Sequence, residues 1–198
     1  MIAVVAIVVA LAPSGAAARR NHNCAVRGRT VVANRVARVF RAHYDPNDDS
    51  ETYACLYRGG GAKLLTYDLA GSGTDVFHGA EFQLAGTFVA SAQVECGGGE
   101  CDYSSVRSVD LRTRRTARSP DRMQPDLLAP FALRLAKSGS FAVAARERYP
   151  SVYGVFAVEA RGKRTLDSGV DVDPNSLALA GSRVYWMRGG VPRSATIH

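Results

Sequence analysis

SLALAGSRVYWMRGG, residues 176–190, is the stretch from which the fold is read. Leu177 and Leu179 alternate with small residues, Gly181 breaks the run, and Val184, Tyr185 and Trp186 open a second extended segment. Period-two alternation on both sides of a glycine is the pattern of a β-hairpin. The frame recurs at Phe82, Leu84, Gly86, Phe88 and Val89, and again, with a two-residue insertion, at Leu133, Leu135, Gly139, Phe141 and Val143. A fainter copy runs through Cys24, Val26, Gly28, Val31 and Val32. The equivalent glycines Gly28, Gly86, Gly139 and Gly181 stand roughly 42 to 58 residues apart, the period of a supersecondary repeat.

Further short extended segments follow each hairpin. The second unit continues through residues 87–95 and 105–113, with 114–118 as an outer strand. The third runs through 131–136, 141–148, 153–160 and 163–166; the last has 177–180, 184–188 and 192–197 and is one strand short. In the first unit, β-branched residues favour strand over helix for 34–40, followed by 52–58 and 63–67. Prolines and glycines punctuate the connectors. Together these segments predict an all-β protein of four propeller-like repeats of short antiparallel strands, in a single domain over residues 19–198.

The repeats resemble the TolB-type family of propeller repeats, in which an apolar inner strand, a glycine turn and a second strand precede a strand ending in Val-Asp-Leu. The residues that carry the resemblance are Leu84, Gly86, Phe88, Val89, Ala90, Val109, Asp110 and Leu111 in the second unit, and Val158, Gly162 and Leu166 in the third. The family's Ser-Pro-Asp-Gly turn is replaced here by Lys137-Ser138-Gly139 and Ala180-Gly181-Ser182. The resemblance implies blades that hold loops on a rigid frame. The chain is also similar to uncharacterised secreted proteins of high-GC bacteria, and its abundant Ala, Arg and Gly fit a GC-rich coding bias.

The first 18 residues, an apolar run from Ile2 to Ala12 followed by Ala16, Ala17 and Ala18, read as a secretory signal without the usual basic start, too short to span a bilayer. Export to the envelope or medium is an oxidising context, in which four cysteines imply disulfides. Cys96 and Cys101 flank Gly-Gly-Gly-Glu and suit a bond across a hairpin loop, which leaves Cys24 and Cys55 as the second pair. If Cys24 lay on the first inner strand, a full strand would separate it from Cys55, about twice the ~4.8 Å spacing. Either Cys24 precedes the first regular strand and folds back, or the first unit is misregistered, which is favoured; a β-sandwich bridged by Cys24–Cys55 is the alternative fold.

Nothing in the chain forms a catalytic signature. There is no Gly-x-Ser-x-Gly elbow, and the histidines are His22, His43, His78 and His198. Asp45, Asp48, Asp49 and Glu51 crowd one loop but fail the calcium-loop spacing, with Ser50 and Leu56 where Gly and Glu are required. No metal or cofactor site is expected. The densest basic run is Arg112, Arg114, Arg115 and Arg118; on a strand, Arg112, Arg114 and Arg118 would share a face that could hold an anion or block edge-to-edge pairing. Trp186 shares a strand face with Val184, as a core residue would. The formal charge of +7, 25 Lys and Arg against 18 Asp and Glu, favours anionic surfaces. Nucleic acid is disfavoured because no aromatic residues interleave the arginines. The expectation is an exported, non-enzymatic binding or envelope-associated scaffold whose partner is a protein or an anionic cell-surface polymer. A homodimer completing the short last repeat is a further option. The alternative is a secreted hydrolase acting on glycan or peptide.

Overall fold

The computed structural model describes residues 24, 28–42, 50–59, 61–68, 81–97, 100–119, 127–147 and 152–198. The expected signal segment, His22, His43, His78 and Asp45 through Asp49 lie outside them. All regular elements among the described residues are β-strands. β1 (Gly28–Ala33), β2 (Ala37–Ala42), β3 (Ser50–Leu56) and β4 (Lys63–Asp68) form the first sheet; β5 (Glu81–Ala85), β6 (Phe88–Gly97), β7 (Glu100–Asp110) and β8 (Arg115–Arg118) form the second. β9 (Leu127–Leu135), β10 (Phe141–Glu147), β11 (Tyr153–Glu159) and β12 (Gly162–Gly169) form the third, and β13 (Val172–Ala180), β14 (Arg183–Arg188) and β15 (Val191–Thr196) the fourth. Every sheet is an antiparallel meander in chain order, and none closes on itself. The four units are four separate small sheets, the last of three strands, and not the two sheets of a sandwich.

Side-chain alternation determines how the sheets stack. On β10, Phe141, Val143 and Ala145 point to one side and pack with Ala90, Ala92 and Val106 of the second sheet. Ala142 and Ala144 point to the other and meet Leu177, Val184 and Trp186 of the fourth. The register agrees: Phe141 faces Leu135 and Val158, and Val143 faces Leu133 and Phe156, whereas Ala144 faces Ala132 and Val155. Both faces being buried there, residues 141–145 of β10 read FAVAA with no polar position, unlike a strand with one wet face. The alanines on the second face leave room for Trp186, which is 5% exposed and donates its indole N–H to Asp167 Oδ2 at 2.8 Å. Likewise Ala37, Val39 and Ala54 of the first sheet pack against Phe82, Val89, Val109 and Leu111 of the second. The sheets thus stack in the order one, two, three, four. The first strands of the four sheets, β1, β5, β9 and β13, succeed one another along the stack.

Two expectations are corrected. The glycine-turn frame of the first unit is displaced: Gly28 begins β1, and the turn equivalent to Gly86, Gly139 and Gly181 is residues 34–36. Asn34 replaces the glycine there, its side-chain oxygen accepting the N–H groups of Val36 (2.8 Å) and Ala37 (2.9 Å). Cys24 therefore precedes β1, which removes the spacing conflict, and it bonds Cys55 with a Cα separation of 5.5 Å. That bond holds Cys24 against a cluster of Phe40, Ala42, Tyr53 and Cys55 on the first sheet's outer face, where the Phe40 and Tyr53 rings stack at 5.8 Å. Cys96 and Cys101 are direct cross-strand partners on β6 and β7; their side chains lie outside the described residues. The second correction concerns β13, which starts at Val172, ahead of the strand expected at 177–180. A register shift between Asp173 and Ala178 is bridged by Ser176, whose hydroxyl donates to the Asp173 carbonyl and accepts the Met187 N–H.

The fourth sheet ends at β15, an edge strand with little to offer a neighbour. Ile197 donates its N–H to Ser182 O, so odd-numbered residues face β14 and Pro192 points its missing donor outward. With Arg193 beside it, this edge resists strand addition. Gly139 and Gly181 hold positive φ at equivalent turns, but a Cβ on Gly139 would also lie 2.7 Å from the Phe88 ring, whereas Gly181 faces open space. Gly181→Ala is expected to cost about 1–2 kcal/mol and Gly139→Ala distinctly more, as measured by urea denaturation; equal losses would contradict the turn packing.

Candidate functional site

One cavity of about 720 Å³ is lined by the same turn of every sheet. Asn34, Arg35 and Val36 join β1 to β2; Leu84, Ala85 and Gly86 end β5; Leu135 through Ser138 end β9; and Leu179, Gly181 and Ser182 end β13. Hydrogen bonds tie the turns together. Asn34 Nδ2 donates to Gly86 O at 3.0 Å, Leu135 N–H donates to Gln83 Oε1 at 3.1 Å, and the buried Ser108 hydroxyl donates to Gly139 O at 2.6 Å. Val36 of the first turn and the leucines near the ends of β5, β9 and β13, Leu84, Leu135 and Leu179, form the floor, and the turn backbones form the rim.

The antiparallel registers bring a second turn of each of the first three sheets to the same end, and in the fourth the Gly181 turn itself carries the basic residue. In the first sheet Tyr57 N–H donates to Val36 O at 2.9 Å, placing Arg58 beside the first turn. In the second, Leu111 N–H donates to Thr87 O at 3.0 Å, placing residues 111–114 beside Gly86. In the third, Phe141 faces Val158 and Glu159 faces Gly162, so Arg161 lies at this end too. In the fourth, Arg183 begins β14 there. These turns are basic: Arg35, Arg58, Arg112, Arg114, Arg115, Lys137, Arg161 and Arg183 are all exposed.

Among the described residues, the side-chain carboxylates of Asp110 and Glu159 at this end are occupied within the fold. Asp110 caps the turn after β7, accepting Arg112 N–H at 2.9 Å and the Thr113 hydroxyl at 3.3 Å. Glu159 accepts His198 N–H at 2.7 Å and Arg164 Nε–H at 3.2 Å, and Arg164 reaches on to Thr196 O at 2.9 Å. The Ser140 hydroxyl donates to His198 O, so the third sheet clamps the end of the fourth from two sides. Burial alone would push the Glu159 carboxyl up, but the His198 N–H and the Arg164 guanidinium more than offset it and hold it below its ordinary 4.5.

At the opposite end, acids and bases are matched. Arg188 donates to Asp167 Oδ1 at 2.6 Å and to Asp171 Oδ2 at 3.1 Å, which raises its own pKa and lowers that of Asp171. Ser168 donates to Glu147 nearby at 3.1 Å. Among the described residues, the exposed basic side chains of the turns thus gather at the end that surrounds the cavity.

The arginine run lies at this end, but not on one strand face. Arg112 and Arg114 sit in the turn, Arg114 at φ 58°, and only Arg115 and Arg118 belong to β8. The Asp110 cap ends β7 before Arg112, and Arg118 is half-buried with Nη1 on Ala117 O at 2.7 Å. Arg112, Arg114 and Arg115 join the basic end; Arg118 does not. Arg35, Arg58, Lys137, Arg161 and Arg183 were not anticipated from the sequence. Their signal is local: four of them stand within two positions of Gly59, Gly139, Gly162 or Gly181, all at positive φ. Comparison with known proteins returns no match: no family model fits the chain, and no curated protein or solved structure is significantly similar to it.

Because the folded pKa of Glu159 lies below 4.5, its clamp contributes stability above that pH and loses it as pH falls through the lower folded value. The stability difference between wild type and Glu159→Gln, from denaturation at successive pH values, should be largest at neutral pH and vanish in acid. A difference that is flat with pH would remove this role.

Proposed function

We propose that the four sheets are successive blades of a TolB-type, propeller-like module that is exported and binds an anionic cell-surface polymer through its turn end. The observation that carries the proposal is the convergence of basic turns from all four sheets on one concave surface beside which the carboxylates of Asp110 and Glu159 are already engaged. A field of one sign over a concavity raises the local concentration of anions and speeds their capture. Rigid strands that hold exposed loops suit recognition and scaffolding. The Cys24–Cys55 bond is compatible with an oxidising compartment, and no described helix is long and apolar enough to cross a membrane.

Binding to soluble polyphosphate, measured by calorimetry at two salt concentrations, tests the reading. Arg112→Glu/Arg114→Glu is expected to weaken binding by about tenfold or more at low salt, an effect that added salt diminishes. Arg29→Glu/Arg193→Glu makes the same change in net charge on exposed strand positions away from the turns and should alter it by less than about twofold. Equal losses from the two pairs would show that net charge alone acts and would defeat the proposal.

A further inference from the structure

The centre of the basic end is apolar. Val36 is 42% exposed, Leu84 and Leu179 are half-buried, and Leu135 and Ala136 complete the floor, while no carboxylate lines the cavity. Its polar side chains are those of the turns, and that of Asn34 is already committed to its own turn and to Gly86. A purely hydrophilic polyanion would have to place charge against leucine or leave the floor wet, and an ion held against such a surface loses hydration without replacement. An aliphatic chain, in contrast, gains from leaving water there. A flat bilayer cannot press its apolar layer into a concavity, so the occupant is a single molecule. Arg35 and Lys137, on the first and third sheets, flank the opening.

From this arrangement we infer that the cavity holds the apolar chain of a monomeric anionic amphiphile, with Arg35 and Lys137 holding its anionic head. The inference rests on the reading of the turn end as an anion-binding surface and adds the chemical class of what its centre takes. Charge sets where the head sits, and the leucines set the preference for a chain over a free anion.

The test is a titration of the ¹⁵N-labelled full chain with dodecyl phosphate below its micelle concentration, followed by amide shifts. Saturable shifts at residues 34–36, 84–86, 135–138 and 179–182 are expected, with inorganic phosphate and dodecyl maltoside each weaker by about tenfold or more. Arg35→Glu/Lys137→Glu, two exposed turn positions, should weaken dodecyl phosphate about tenfold. Leu179→Asn should weaken dodecyl phosphate and leave inorganic phosphate unchanged; a folded amide spectrum confirms that each variant retains the fold. Inorganic phosphate binding as tightly as dodecyl phosphate would overturn the inference and leave the anion-binding reading standing. Dodecyl maltoside binding as tightly would overturn it through the head, as would binding only to vesicles containing an anionic phospholipid. No shift at these turns with any anion, polyphosphate included, would overturn both.

Discussion

The structure depends on the requirement that its inner sheets bury both faces. Phe141 and Val143 alternate with Ala142 and Ala144 on β10, so the third sheet presents a bulky surface to the second and a shallow one to the fourth. Only a neighbour with large side chains fills the shallow side, and Trp186 and Leu177 supply them. Removing the Trp186 indole would take the donor from Asp167 Oδ2, leaving that carboxylate to Arg188, as well as open a void between the two sheets. Since each sheet is a meander in chain order, stacking them face to face also aligns their ends. The turns that follow the first strand of each sheet then meet at one place, which is why a cavity exists there.

The chemistry of those turns follows from their geometry. Tight connections at positive φ take glycine and leave the residues around it in solvent, and in this chain those neighbours are Arg58, Lys137, Arg161 and Arg183. The carboxylates near them are consumed in holding the fold, Asp110 in a turn cap and Glu159 in the clamp on residues 196–198. At the other end Asp167 and Asp171 share Arg188. Among the described residues, the exposed basic side chains of the turns therefore gather toward one surface.

Much of the strand order was legible because units two to four keep period-two alternation around a glycine, and the third sheet matches its expected strands within a few residues. In the first unit the cysteine spacing signals a shifted frame but not where the turn lies, because that turn is built on the Asn34 side chain, which does the work of a glycine without looking like one. The arginine run was placed on a strand because Val106, Val109 and Leu111 alternate up to it; the Asp110 cap that ends the strand depends on a side-chain conformation that alternation does not encode. The Cys24–Cys55 pair followed from cysteine arithmetic, while its place on the outer face of the first sheet did not. The cavity was not legible at all. Its walls come from four segments separated by tens of residues, and only the stacking of sheets brings Val36, Leu84, Leu135 and Leu179 together.

The central claim, that exposed positive charge gathers around the cavity end, is tested most directly by near-surface electrostatic potentials, read from the paramagnetic relaxation of backbone protons by cationic and anionic nitroxides. The account predicts strong preference for the anionic probe at residues 34–36, 86–87, 111–115, 137–138, 161 and 181–183, and none around Asp167 and Asp171. Equal relaxation by the two probes at those turns, or a preference spread uniformly over the strands, would contradict it.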